Sequence, residues 1–147
     1  MEATRSATAV WTGDLLSGSG EVNSATSEHL RNLPVSWASR TADPEGRTSP
    51  EELLAAAHAA CFSMALSNGL AKAGLMAERL EVRADVTFEK RDAGWAVARS
   101  HISVKGHVPG ADDEAFRAAA EAARDGCPIS QALKGNVELS VQATLED

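Results

Sequence analysis

The chain has 147 residues, enough for one domain with a sizeable core, and its 21 acidic against 14 basic side chains leave a net charge of −7. With a pI near 5.1, that balance argues against a nucleic-acid surface, which is normally basic. Two cysteines, Cys61 and Cys127, are too few for a secreted disulfide scaffold and cannot alone complete a four-ligand zinc site.

Residues 1–6, Met-Glu-Ala-Thr-Arg-Ser, lack the basic and then apolar pattern of a signal peptide, and no uninterrupted apolar run reaches membrane-spanning length. The expectation is a cytoplasmic protein, away from membranes, with reduced thiols. Residues 1–39 read as N-terminal strands. The first runs from Ser6 to Thr12 with Ala7, Ala9 and Trp11 on one face, the second lies around Glu21 to Ala25, and the third at Val35 to Ala38. Residues 40–49 read as a loop, since Arg40 to Arg47 holds Pro, Gly and charges without apolar periodicity.

A long central helix is predicted over 50–73. Ser49 can cap it, Pro50 suits the first helical position, and Ser49 with Glu52 has capping-box spacing. Its polar residues after Leu53 are few, so it is apolar around most of its circumference and belongs inside a fold. A long hairpin follows over 79–108. Leu80, Val82, Ala84, Val86 and Phe88 alternate with polar residues, Asp92-Ala93-Gly94 turns the chain, and a switch of apolar phase predicts a bulge near Arg99. Residues 112–134 hold two helices, the first capped by Asp112 or Asp113 and carrying Phe116, Ala119, Ala120 and Ala123 inward. A last strand occupies 136–145. The order is β-β-β-α-β-β-α-α-β, an α+β layout with mostly antiparallel strands.

The two cysteines differ in setting. Cys127 lies between Gly126 and Pro128, at the N-cap of a short helix, where unsatisfied N–H groups and the helix dipole favour a thiolate. Cys61 lies about three turns inside its helix, beyond the reach of the terminal field, so any activation must be brought to it from elsewhere. Each also has an ordinary structural account, Cys61 as a small core residue and Cys127 as a cap. His58, on a neighbouring face, could be a base, a metal partner or a buried, satisfied histidine. Glu51 suits the first turn of the helix dipole, and Arg40 and Arg47 could be solvated loop charges.

The run from Thr48 through His58-Ala59-Ala60-Cys61-Phe62-Ser63-Met64-Ala65-Leu66, followed by Gly126-Cys127-Pro128-Ile129-Ser130-Gln131-Ala132-Leu133, closely resembles the OsmC/Ohr family of osmotically inducible proteins and organic hydroperoxide reductases, nearer the OsmC branch. The resemblance covers almost the whole chain. It implies mostly antiparallel sheets wrapped around long central helices in an intertwined homodimer, with sites at the subunit interface. It implies a thiol-dependent peroxidase in which Cys61 is peroxidatic and Cys127 resolving, served by a glutamate and an arginine. Glu51 matches the glutamate. Arg40 fits the OsmC-type arginine, with Arg47 nearby as the other candidate, and the Ohr-type arginine of the first hairpin is absent from Gly13 to Gly20.

About ten helical residues span about 15 Å, so Glu51 cannot touch Cys61 of the same straight helix; if both serve one site, either the helix begins later or the Glu51–arginine pair comes from the partner, as an antiparallel pairing of two central helices would allow. The implied reaction takes an organic hydroperoxide as substrate, hydrogen peroxide more weakly, and an external dithiol as reductant, without cofactor or metal. Phe62, Met64 and Phe116 are candidates to line a pocket for the organic group, though core packing alone would explain them. Two other classes are a Cys/His hydrolase or thioesterase using Cys61 and His58, and a thiol carrier or metal module built on Cys61, His58 and Cys127.

Overall fold

A computed structural model describes residues 1–146. They group into two compact units that divide at Leu53 and Leu54, within the first turns of the long helix.

In the first unit, β1 (Ala7–Thr12), β2 (Ser19–Ser24) and β3 (Leu33–Val35) form an antiparallel sheet in that order. The Asp14 carboxylate shapes the β1–β2 turn by accepting from the N–H groups of Leu16 and Ser17, both at 2.9 Å. The sequence expectation of a strand from Val35 to Ala38 fails: β3 ends at Val35, and Ala38–Thr41 is a helical turn, α1, that takes in Arg40. The cause is a reciprocal pair of serines. The Ser39 N–H donates to Ser36 Oγ at 3.1 Å and the Ser36 N–H donates to Ser39 Oγ at 3.2 Å, which is capping-box logic with a hydroxyl in the acid's place. Ser39 Oγ also donates to the Thr48 carbonyl at 2.7 Å, and the Thr48 N–H donates to the Pro34 carbonyl at 2.9 Å. The loop after α1 is thereby tied back on itself.

Helix α2 (Pro50–Lys72) begins as its sequence dictates, with the Glu52 N–H donating to Ser49 Oγ at 3.1 Å. It ends one residue short of expectation, where Gly74 takes φ +79° and the Leu75 N–H reaches the Leu70 carbonyl at 3.0 Å. By length and a mean hydropathy of 1.4, α2 is sufficient to cross a bilayer. In this fold its residues at every fourth position, His58, Phe62, Leu66 and Leu70, are fully buried, while Met64 stands 68% exposed on the single chain.

In the second unit, β4 (Arg79–Arg91), β5 (Gly94–His107) and β6 (Glu138–Glu146) form a sheet in that order, and α3 (Asp113–Gly126) and α4 (Pro128–Leu133) lie between β5 and β6 in sequence. β4 and β5 are antiparallel. Thr87 faces Arg99 while Phe88 faces Val97, so Ala98 is the extra residue of the bulge expected near Arg99. β6 pairs with β5 in parallel, as a crossover through helices allows. Asp112 is the α3 cap, accepting from the Ala115 N–H at 2.8 Å.

Phe62, Leu66 and Leu70 of α2 form one buried cluster with Ile102 and Val104 of β5, Phe116, Ala120 and Ala123 of α3, and Cys127. Phe62 and Phe116 are thus core residues, the packing role that was one of the two readings of their sequence positions. At Gly106 a Cβ would collide with the edge of the Phe116 ring. Gly106→Ala is therefore expected to cost about 1–3 kcal/mol, the usual range for overpacking a core, measured as a lowered urea midpoint with unchanged m-value.

Candidate redox site

Cys127 is positioned by two helix ends at once. Its N–H donates to the Ala123 carbonyl at 2.9 Å, closing α3, and its sulfur accepts from the Ser130 N–H at 3.4 Å, opening α4 above Pro128. It is fully buried. The N-cap placement read from Gly126-Cys127-Pro128 holds.

Cys61 is half-buried, and both cysteines carry free thiols. Burial is the main influence on the Cys61 thiol and pushes its pKa up. The backbone N–H of Ile129 opposes this by donating toward the sulfur, and hydrogen bonding and charge at Cys127 add to the rise. Two thiols far apart in sequence are brought to one part of the second unit, Cys61 packing against the buried cluster that contains Cys127. Among the described residues of its own unit no cation lowers the Cys61 pKa.

His58 does not serve Cys61. Its Nδ1 bonds Ser100 Oγ at 2.7 Å and its Nε2 bonds Ser130 Oγ at 2.8 Å, and all three residues are buried. With both ring nitrogens engaged by hydroxyls, the Cys/His hydrolase geometry is not formed. Among the described residues no group of three or more His, Cys, Asp or Glu side chains gathers into a metal site. Neither serine figured among the sequence candidates. Ser100 had a signal, since it shares the core-facing phase of Ala98, Ile102 and Val104; a hydroxyl there asks for a partner.

In the first unit Arg40 and Glu51 form an ion pair. Arg40 Nη2 donates to Glu51 Oε1 at 2.7 Å, and Nε reaches both carboxylate oxygens at 3.2 and 3.3 Å. The Arg40 guanidinium also sits 5.4 Å from the Trp37 ring centroid. Glu51 is buried, and its fork-to-fork partner fixes the guanidinium plane. Arg47 instead meets Glu45 at 3.7 Å, at the surface. Beside Arg40 lies a cavity of ≈ 330 Å³ lined by Trp11, Leu15, Val35, Trp37 and Pro50. The four residues singled out from sequence thus fall into two pairs, Cys61 with Cys127 and Arg40 with Glu51, each inside one unit.

The sequence pattern of the OsmC-like protein family matches residues 42–142. The chain belongs to the OsmC family. It is 42% identical over 132 residues to peroxiredoxin OsmC of Escherichia coli K12, covering 90% of this chain and 91% of that one. Against organic hydroperoxide resistance protein OhrA of Bacillus subtilis it is 32% identical over 100 residues, covering 67% and 68%. The crystal structure of OhrB of Bacillus subtilis superposes with a TM-score of 0.74 at 24% identity, over 95% of this chain and 98% of that one. The α+β architecture is therefore the OsmC/Ohr fold, and the higher identity is on the OsmC side.

Burial holds His58 below the ordinary imidazole pKa. The unfolded chain then binds a proton at a pH where the folded one does not, so stability is full above about 6.5 and falls as pH drops toward the folded value. Denaturant titrations between pH 7 and pH 5 are expected to show this loss, at most about 1.4 kcal/mol per pH unit for the one proton, and His58→Gln is expected to flatten the slope.

Proposed function

We propose that this protein is a thiol-dependent peroxidase of the cytoplasm that reduces organic hydroperoxides, and hydrogen peroxide more weakly, with Cys61 as peroxidatic and Cys127 as resolving cysteine. The observation that supports it most is that Cys61 packs against the buried cluster that contains Cys127, in a chain 42% identical to a peroxiredoxin. The Cys61 thiolate attacks the terminal peroxide oxygen, the O–O bond breaks, and the alkoxide leaves as alcohol after taking a proton. Cys61 is left as sulfenic acid. Cys127 sulfur then displaces hydroxide, which leaves as water, and an external dithiol reduces the disulfide. No cofactor or metal enters the scheme.

The first step needs a thiolate, yet burial raises the Cys61 thiol. A guanidinium restores the balance, and Arg40, held by Glu51, is the one we assign to the task. Since a straight helix separates Glu51 from Cys61 by about 15 Å, the Arg40–Glu51 pair that serves one Cys61 comes from a second copy in a homodimer. Exposure of Val10, Leu16 and Met64 on the single chain supports a covering partner. The apolar cavity beside Arg40 suits the carbon portion of the hydroperoxide.

Treatment with one equivalent of tert-butyl hydroperoxide is expected to consume two thiols per chain by a colorimetric thiol assay; two thiols retained would overturn the assignment. Cys127→Ser should stop at a Cys61 sulfenic acid that dimedone traps. Arg40→Ala is expected to slow the reaction with hydroperoxide by about 10²–10³-fold, the usual loss for one preorganised donor, while Arg47→Ala should leave it unchanged.

A further inference from the structure

A core built from Phe62, Leu66, Ile102, Val104 and Phe116 also contains His58, Ser100 and Ser130, each at most 1% exposed. Burying an imidazole and two hydroxyls is no route to extra stability, because their hydrogen bonds roughly offset the desolvation they suffer. The arrangement has a direction. Ser130 Oγ stands between His58 Nε2 at 2.8 Å and Cys127 Sγ at 3.3 Å, and His58 Nδ1 meets Ser100 Oγ at 2.7 Å.

A hydroxyl has one proton, so Ser130 can donate to only one of its two neighbours at a time. With a proton on Nδ1 bonded to Ser100, Nε2 is an acceptor. Ser130 then donates to Nε2, and the Cys127 thiol donates to Ser130 Oγ. Shifting each proton one place reverses both bonds without moving a heavy atom. Cys127 becomes a thiolate that accepts from the Ser130 O–H and from the Ser130 N–H at 3.4 Å, and the ring carries both protons.

We propose that His58 is a positioning residue that accepts the Cys127 proton through the Ser130 hydroxyl and so activates the resolving thiol. The proposal rests on the peroxidase reading above. In the step it serves, the Cys127 sulfur lone pair forms the S–S bond as the S–O bond of the Cys61 sulfenic acid breaks with its electron pair. The proton held on His58 returns through Ser130 to the departing hydroxide, which leaves as water. The oxidant is the hydroperoxide that made the sulfenic acid.

The groups facing the ring fit this role. β5 contributes Ser100 and α4 contributes Ser130, both uncharged, with the Cys127 thiol one bond beyond. Burial is the sole influence on the His58 pKa, so the ring rests neutral at pH 7 with a lone pair available, and the desolvated cation returns its proton readily.

The test separates the two chemical steps in intact protein treated with one equivalent of tert-butyl hydroperoxide, following dimedone-reactive sulfenic acid and disulfide by mass spectrometry in quenched samples. His58→Gln keeps a donor and an acceptor for the two serines but cannot take a proton; Ser130→Ala cuts the relay at its other link. Both are expected to form sulfenic acid at the wild-type rate and to close the disulfide about 10²-fold more slowly, at the low end for general-base assistance. The slowed closure should recover as pH rises, whereas wild type stays level near neutrality. Wild-type closure rate and pH profile in folded His58→Gln, or in Ser130→Ala should His58→Gln not fold, overturn the relay. Retention of both thiols in the wild-type protein overturns the peroxidase reading instead, and the relay with it.

Discussion

The second unit depends on one packing constraint: α2 must bury a stripe that repeats every four residues, His58, Phe62, Leu66 and Leu70. Phe62, Leu66 and Leu70 fill the space facing Ile102, Val104 and Phe116, and at about 25 cal/mol per Å² of apolar surface this burial is the main favourable term. The same helix carries Cys61, partly buried and packed against the cluster that contains Cys127. The placement of the thiols is therefore a by-product of core formation. A core that interlocks side chains at crystal-like density holds them more firmly than a surface loop would.

His58 is the polar member of that stripe, and its position explains a chain of otherwise costly choices. Once an imidazole occupies a core position, both nitrogens need partners that are themselves buried. β5 supplies Ser100 from its inward phase, and α4 supplies Ser130 three residues after its cap. Among the described residues no buried side-chain polar atom is left without a hydrogen bond. Fully satisfied networks of this kind fix one arrangement of the elements that carry them, here α2, β5 and α4, around the Cys127 sulfur.

Features written in local chemistry were legible in the sequence. The Ser49-Pro50 start of α2, the alternation of β4, the Asp112 cap and the Cys127 N-cap each need only a few neighbouring residues. The bulge at Ala98 was readable because a phase switch is itself a local pattern. The α1 turn was not legible, since Val35 to Ala38 reads as a strand and the reciprocal Ser36–Ser39 hydrogen bonds that curl it exist only once the chain has folded back. The parallel pairing of β6 could not be read, since strand direction is decided by a crossover and not by alternation. Ser100 and Ser130 lie 42 and 72 residues from His58, and no periodicity links positions that far apart. Arg40 and Glu51 were named by family resemblance; the ion pair they form is a tertiary fact.

The two thiols are prepared unequally, and that inequality has a consequence for how the reaction would be shared. Cys127 meets a helix N-terminus and a hydroxyl backed by an imidazole, all from its own unit. Cys61 receives from that unit chiefly desolvation, with the Ile129 N–H as its one compensation. A thiol so placed is protonated and slow at neutral pH. Under the proposed mechanism its activation is therefore delegated to a cation from outside, and the resolving step is kept at home. Such a division has a chemical advantage. A peroxidatic thiolate formed only beside an arginine exists only where the peroxide is also bound and oriented, which limits its oxidation by other routes. A resolving thiol activated from within can close the disulfide as soon as the sulfenic acid forms, before a second peroxide carries Cys61 to the irreversible sulfinic state.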